Sequence, residues 1–161
     1  MKKLLLGIAA VCLAGFTFAQ DAPLWMRHSV ISPDGTTIAF TYKGDIYTVP
    51  VAGGRAMQIT TNPAYDTAPV WSPDSKRIAF ASDRMGSLDV YIVAKDGGEP
   101  RRLTTHSGSE TPLAFTDAGH VLFSAGIMPS AEAVVFPSNG QFNQVYRVSV
   151  EGGRPTMISS M

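Results

Sequence analysis

Residues 32–40 read SPDGTTIAF and residues 72–80 read SPDSKRIAF, which is the same pattern displaced by 40 positions. A weaker third copy, FTDAGHVLF, occupies residues 115–123. In the two clear copies a turn precedes an apolar strand, because Pro presets φ and Asp can accept hydrogen bonds from its neighbouring backbone. A period of this length is typical of β-propellers and related repeat arrays.

The second half of each unit repeats as well. An aliphatic-Tyr pair is followed by two glycines and then by an aliphatic residue with a hydroxyl residue after it. These elements occupy 46–47, 53–54 and 59–60 in the first unit, 90–91, 97–98 and 103–104 in the second, and 145–146, 152–153 and 158–159 in the third. The glycine pairs lie 44 and then 55 positions apart, so the third unit carries about eleven extra residues, between Gly126 and Phe142.

The second unit predicts four short strands, near residues 70–71, 78–81, 89–94 and 100–104. In the second of these strands large and small apolar side chains alternate, so neither face is charged, as expected for a strand that is covered on both sides. Asp96-Gly97 is expected to supply the positive φ values of a tight hairpin turn. Pro100 and the two arginines after it suit an exposed outer edge. The chain is therefore predicted to be all-β, and matching turns in equal units favour propeller blades over a sandwich or an open sheet.

The first 19 residues have the charged start, apolar middle and small final residue of a secretion signal, so we expect cleavage after Ala19. The apolar run is short for a membrane-spanning helix, and no second such run follows. The mature chain then has 11 basic and 13 acidic residues, and this balance argues against nucleic acid and anionic membranes as partners. We assign 24–161 to an incomplete β-propeller with blades at about 24–65, 66–109 and 110–161.

In a meander, alternate connections lie on opposite faces, because successive strands are antiparallel. The Ser-Pro-Asp and Gly-Gly turns share one face, and the longer loops and the insertion share the other. Those longer loops carry Arg84, His106 and Glu110, which we take as candidate binding residues. The alternative is that Asp83 and Arg84 only cap a turn and that the insertion only packs on a neighbour.

Motifs for catalysis or for cofactors are absent from the sequence. No Gly-x-Ser-x-Gly nucleophile elbow, zinc-ligand spacing or phosphate-binding glycine loop occurs, so we expect no catalytic residue, metal or cofactor in this chain. Asp34, Asp74 and Asp117 could suggest calcium, but their recurrence once per blade at a turn fits backbone hydrogen bonding better.

The segments VWSPDSKRIAFASDR (residues 70–84) and GGEPRRLT (97–104) resemble the propeller repeat of TolB and of the Tricorn-like serine peptidases. TolB-like proteins place a small α/β domain before the propeller, whereas here the first repeat starts at about Leu24, which resembles the start of a Tricorn-like peptidase. The third unit departs from the repeat, since it lacks the Trp, the Pro and the Asp-Arg pair and bears the insertion.

The resemblance implies the N-terminal propeller of a secreted or periplasmic serine peptidase that gates or binds peptides, with the catalytic residues elsewhere in the protein. Its partners would be peptides or proteins, together with further blades and domains of the same chain. One alternative is a non-enzymatic periplasmic propeller like TolB, which binds proteins. Another is the propeller of a prolyl-oligopeptidase-type enzyme.

Overall fold

The computed structural model describes residues 25–126 and 143–159. The predicted signal segment and all of the third-unit insertion from residue 127 to residue 142 lie outside this part of the chain. The described residues form strands and connections, and none of them belongs to a helix that could span a membrane. The strands are β1 (Arg27–Ile31), β2 (Thr37–Tyr42), β3 (Asp45–Pro50), β4 (Met57–Gln58), β5 (Asp66–Trp71), β6 (Arg77–Ser82), β7 (Asp89–Ala94), β8 (Arg101–Arg102), β9 (Glu110–Asp117), β10 (His120–Ala125), β11 (Gln144–Ser149) and β12 (Thr156–Met157).

These strands form three antiparallel four-stranded sheets, and each sheet uses four consecutive strands in the order of the sequence. We call them blade 1 (β1–β4), blade 2 (β5–β8) and blade 3 (β9–β12). The first strand of each later blade packs against the blade before it, β5 against β1, β2 and β3, and β9 against β5, β6 and β7. The all-β propeller architecture predicted from the repeat is confirmed.

Strand β6 is covered on both sides, as its sequence predicts. Ile78 and Phe80 are fully buried against blade 1, and Ala79 is fully buried against blade 3. The large side chains fill the first junction, while the small alanine lets the aliphatic and aromatic residues of blade 3 approach. Each junction between blades is therefore a separate apolar layer, and blade 2 contributes to both.

The same aromatic pair recurs in every blade. Phe40 and Tyr47 are cross-strand neighbours whose ring centroids lie 5.8 Å apart in a stacked arrangement. The equivalent pairs, Phe80 with Tyr91 and Phe123 with Tyr146, stack at 6.0 and 5.6 Å. Stacked cross-strand rings stabilise a sheet beyond the area that they bury, so these residues define the register of the two central strands.

The aspartates of the repeated turns bind the local backbone. Asp74 accepts hydrogen bonds from the Ser72 hydroxyl at 2.6 Å and from the Lys76 amide at 3.2 Å. The Ser72 hydroxyl bond, followed by the Lys76 amide bond, lowers the pKa of this carboxyl. Asp34 and Asp117 each likewise accept a hydrogen bond from the amide two residues on. These contacts are the backbone bonding that the sequence favoured over a calcium site.

The glycine pairs make a different turn from the one expected at Asp96-Gly97. The positive φ values belong to Gly97 (92°) and Gly98 (116°), and Asp96 is not among the residues with positive φ. The Gly97 amide donates to the Ala94 carbonyl at 3.0 Å, so Lys95 and Asp96 are the central residues of the tight turn and Gly97 is its fourth residue. The prediction of a two-residue Asp-Gly turn was wrong, because the double glycine supplies both left-handed positions itself.

A hydroxyl group closes each blade, buried in blades 1 and 2 and half-buried in blade 3. The Thr60 hydroxyl accepts a hydrogen bond from the Ile46 amide at 3.0 Å, Thr104 accepts one from Val90 at 2.9 Å, and Ser159 accepts one from Val145 at 2.9 Å. In all three blades the donor lies at the beginning of the third strand, where the two-residue outer strand has already ended. The hydroxyl thus supplies the partner that a longer outer strand would have supplied.

We expect Thr60→Val to destabilise the protein by about 1–3 kcal/mol, because valine keeps the shape but leaves the Ile46 amide buried without its hydroxyl partner. Chemical unfolding measures the loss, and amide hydrogen exchange should show faster exchange at Ile46. The neighbouring exposed Thr61 gives a matched control, Thr61→Val, which should change stability little. Equal effects of the two substitutions would contradict the assigned role of Thr60.

Candidate functional site

The longer connections meet at one face, which we call the loop face. It comprises the Lys43–Gly44 hairpin, the 83–88 loop, and the links 59–65 and 103–109. At this face the first strand of each blade begins by bonding to the blade before it: the Asp66 amide donates to the Gly44 carbonyl, and the Glu110 amide to the Leu88 carbonyl, both at 2.7 Å. The connection between β2 and β3, or between β6 and β7, therefore positions the next blade.

Asp66 and Arg84 form a buried ion pair at the junction of blades 1 and 2. One terminal guanidinium nitrogen of Arg84 lies 3.1 Å from each carboxylate oxygen of Asp66. The Arg84 side chain is 12% exposed, and the Asp66 side chain is fully buried. Arg84 Nε also donates to the Ser82 hydroxyl at 2.9 Å, and the guanidinium carbon lies 4.5 Å from the centre of the Tyr91 ring. Ion pair, hydrogen bond and ring contact together hold Arg84 in one position.

The second acid of this junction is Asp45, at the start of β3. Gln58 Nε2 donates to it at 3.0 Å, and the Thr60 hydroxyl lies 3.4 Å away. Burial, and then the charge of Asp66, raises the pKa of Asp45. The junction thus combines two carboxyl groups with one arginine.

The junction of blades 2 and 3 has the same composition in a different arrangement. Asp89, at the start of β7, is fully buried, and one of its oxygens lies 2.8 Å from a guanidinium nitrogen of Arg102 on the outer strand. Glu110 begins β9, as Asp66 begins β5, and is 1% exposed. Here the arginine pairs with the acid of the third strand, and the acid of the first strand is left without an ion-pair partner among the described residues.

Neither carboxylate oxygen of Glu110 has a well-formed hydrogen bond in the described structure. Burial raises the pKa of Glu110 to about 7, and the charge of Asp89 adds to this effect. The Thr104 hydroxyl and Arg102 act in the opposite direction and offset only part of it. Glu110 is therefore a buried acid that exchanges a proton near neutral pH.

His106 lies on the exposed link between blades 2 and 3. Its Nδ1 accepts a hydrogen bond from the Gly108 amide at 3.0 Å, and its carbonyl accepts one from the Ser87 hydroxyl at 3.3 Å. No hydrogen bond or ion pair of the described residues joins His106, Arg84 and Glu110 to one another. The three candidates occupy one face but different junctions, and their binding role stays a prediction.

The sequence prediction missed the acids that surround these candidates. Asp45 and Asp89 were not proposed as site residues, although an acid directly before the aliphatic-Tyr pair in two of the three units was an available signal. Asp66 was not singled out, and Arg102 was expected only at an exposed edge, whereas its side chain is 28% exposed and pairs with Asp89; the ion-pair partners are 18 and 13 residues away in the sequence. No group of three or more potential metal ligands was found in the described residues.

We expect Arg84→Met to cost about 3–5 kcal/mol of stability, because it leaves the buried carboxylate of Asp66 without its counter-charge. The exposed Arg55 provides the control, and Arg55→Met should change stability by no more than about 0.5 kcal/mol. Chemical unfolding gives both values. If Asp66→Asn added to Arg84→Met recovers none of the loss, the ion pair is not the cause.

Because the pKa of Glu110 is raised in the folded protein, we expect the free energy of unfolding to depend on pH in a defined direction. The folded protein binds its proton more tightly than the unfolded chain, so this contribution to stability is full below pH 4.5 and is lost as pH rises through about 7. The free energy of unfolding should fall over this interval by up to about 1.4 kcal/mol per pH unit. Glu110→Gln should remove the slope, and Glu99→Gln, at an exposed position, should retain it. Parallel pH profiles for the three proteins would contradict the assignment.

Comparison with known proteins identifies the repeat. Residues 23–160 match the family model of the Tricorn protease N-terminal beta propeller domain. Tricorn protease homolog 1 from Streptomyces coelicolor is 35% identical over 102 residues, which is 63% of this chain and 9% of that protein. The uncharacterized peptidase YuxL from Bacillus subtilis is 30% identical over 129 residues, 79% of this chain and 20% of the relative.

Among solved structures, TolB from Acinetobacter baumannii superposes with a TM-score of 0.65 at 21% identity, over 84% of this chain and 32% of TolB. That likeness shows the propeller fold. The chain thus spans a fifth or less of the two peptidase relatives. Because the family model covers nearly all of the chain after the predicted signal segment, this chain belongs to the Tricorn protease N-terminal beta propeller family.

Proposed function

We propose that this chain is the N-terminal propeller segment of a secreted or periplasmic Tricorn-like serine peptidase, and that it binds and restricts peptide substrates while another part of the protein performs hydrolysis. The observation that carries the proposal is the family match over residues 23–160, since two relatives aligned with this region are named as a protease homolog and a peptidase. The secretion signal predicted at residues 1–19 supports the location outside the cytoplasm.

The arrangement of side chains at the loop face supports the binding role. No hydrogen bond joins a serine hydroxyl to a histidine side chain among the described residues, which is the contact by which a histidine activates a serine nucleophile. The exposed part of the loop face instead offers side chains such as His106, set on a rigid support of paired strands. Loops held in this way are where proteins commonly bind their ligands.

Photo-crosslinking tests the binding role. A peptide that carries benzoylphenylalanine is incubated with the full gene product, irradiated and mapped by mass spectrometry, and unlabelled peptide serves as competitor. We expect competed crosslinks to the loop face, in the 43–44, 61–65 and 105–109 segments, and peptide hydrolysis by the full product but not by residues 20–161 alone. Crosslinks confined to regions outside this chain, or hydrolysis by the isolated segment, would contradict the proposal.

A TolB-like protein-binding propeller is the second candidate, and it is favoured by the structural likeness to TolB and by a 44% identity over 55 residues with Tol-Pal system protein TolB from Bordetella pertussis. The two candidates differ in one measurable property. A full gene product that hydrolyses no peptide, and that crosslinks to an intact envelope protein through the same face, would favour the second.

A further inference from the structure

A cavity of about 340 Å³ opens at the loop face where the first strand of blade 1 meets the start of blade 2. We call it the blade 1–2 pocket, and its lining residues are Trp25, Arg27, Thr41, Lys43, Gly44 and Tyr65. This volume is within the range of small-ligand sites. None of these side chains pairs with the acids of the two junctions described above, although the Gly44 carbonyl accepts the Asp66 amide.

Two cations line the pocket, and neither forms an ion pair with a described residue. The guanidinium carbon of Arg27 lies 5.9 Å from the centre of the Trp25 ring, and Lys43 Nζ lies 5.3 Å from the centre of the Tyr42 ring. Each cation thus lies over an aromatic ring, and this contact leaves its N–H groups available as hydrogen-bond donors to another partner.

The neighbouring acids are held by other groups. Asp66, which follows Tyr65, is bound by Arg84, and Asp45, which follows Gly44, is bound by Gln58 and lies near the Thr60 hydroxyl. The local pairing therefore leaves the positive charge of Arg27 and Lys43 without a dedicated counter-charge among the described residues.

Thr41 is the buried polar residue of the pocket wall. Thr41 is 2% exposed, and its Oγ1 has no hydrogen-bond partner in the described structure. Thr41 is the cross-strand partner of Arg27, so hydroxyl and guanidinium belong to the same pair of the sheet. A buried hydroxyl without a partner is costly, and an oxygen acceptor from a ligand would remove that cost.

The remaining walls are aromatic. Trp25 is 70% exposed and Tyr65 is 41% exposed, which is unusual for side chains of this size. The Tyr65 ring lies against the hairpin at Gly44, where the φ of 90° favours glycine and a Cβ would be in ordinary van der Waals contact with Tyr65 Cδ2 at 3.5 Å. Cations, a free hydroxyl and exposed rings together suit a carboxylate that is attached to an apolar chain.

We infer that the blade 1–2 pocket binds a carboxylate group of a peptide, with Arg27 and Lys43 as charge partners, Thr41 as hydroxyl donor, and the Trp25 and Tyr65 rings against the flanking side chains. The inference rests on the proposed function in one respect, which is that peptides are the ligands. The carboxylate belongs either to an acidic side chain or to the peptide C-terminus, and the two sources share the same chemistry.

Calorimetric titration distinguishes the possibilities, on the full gene product treated with a covalent serine-peptidase inhibitor. Three N-acetylated heptapeptides with two phenylalanines serve as probes: a C-terminal amide with one central Glu, the same amide with Gln, and the Gln peptide with a free C-terminus. We expect one or both carboxylate peptides to bind at least tenfold more tightly than the Gln amide. The tighter of the two identifies the source.

Variants connect the preference to the pocket. Arg27→Met and Lys43→Met should each reduce the carboxylate preference about fivefold to tenfold, with native circular dichroism and unchanged affinity for the Gln amide. Arg55→Met, which removes one positive charge outside the pocket, should leave the preference unchanged. An equal effect of Arg55→Met would overturn the inference, because it would indicate general electrostatic attraction.

Two further outcomes separate this inference from the proposed function. If all three peptides bind with equal affinity, the carboxylate site is refuted while peptide binding stands. If none of them binds, both the site and the proposed peptide-binding function are refuted.

Discussion

Coverage of blade 2 on both of its sides is the constraint on which the rest of this structure depends. A four-stranded meander has two broad faces, and in blade 2 both are apolar: Ile78 and Phe80 pack on one neighbour, and Ala79 on the other. A single sheet of this composition would expose the apolar side chains of one face to water. The stacking of blades is therefore the source of the core, and the order of large and small side chains along β6 determines how closely each neighbour approaches.

The charged side chains at the two junctions between blades share one composition. Each junction contains two carboxyl groups and one arginine, so each has one acid more than its arginine can neutralise. In the first junction the arginine pairs with Asp66, and Asp45 is stabilised by neutral hydrogen-bond donors. In the second, the arginine pairs with Asp89, and Glu110 is left to lose its charge by binding a proton. The same composition thus gives one junction that is fixed by an ion pair and another that responds to pH.

The sequence was sufficient for the fold because the repeat contains the local signals three times. Turn residues, the aliphatic-Tyr pair and the closing hydroxyl residue recur with the strands, so the strands and their order could be predicted. The pairing of charged groups could not, since Asp66 meets Arg84 and Asp89 meets Arg102 across neighbouring strands, and each contact depends on the register of those strands. The Asp96-Gly97 turn was wrong for a local reason, as either turn type is compatible with those residues. The blade 1–2 pocket was missed because Trp25, Arg27 and Tyr65 do not belong to the repeated pattern.

The hydroxyl that closes each blade has a further consequence. In all three blades, donor and acceptor are 14 residues apart, although the third unit is about eleven residues longer than the second. The extra residues lie wholly before the donor, in the connection between β10 and β11. The segment from the third strand of a blade to its closing hydroxyl therefore has a fixed length, whereas the connection between the second and third strands accepts insertions. Evolution can therefore lengthen the connections of the loop face one blade at a time without disturbing the hydroxyl contact that keeps each blade closed.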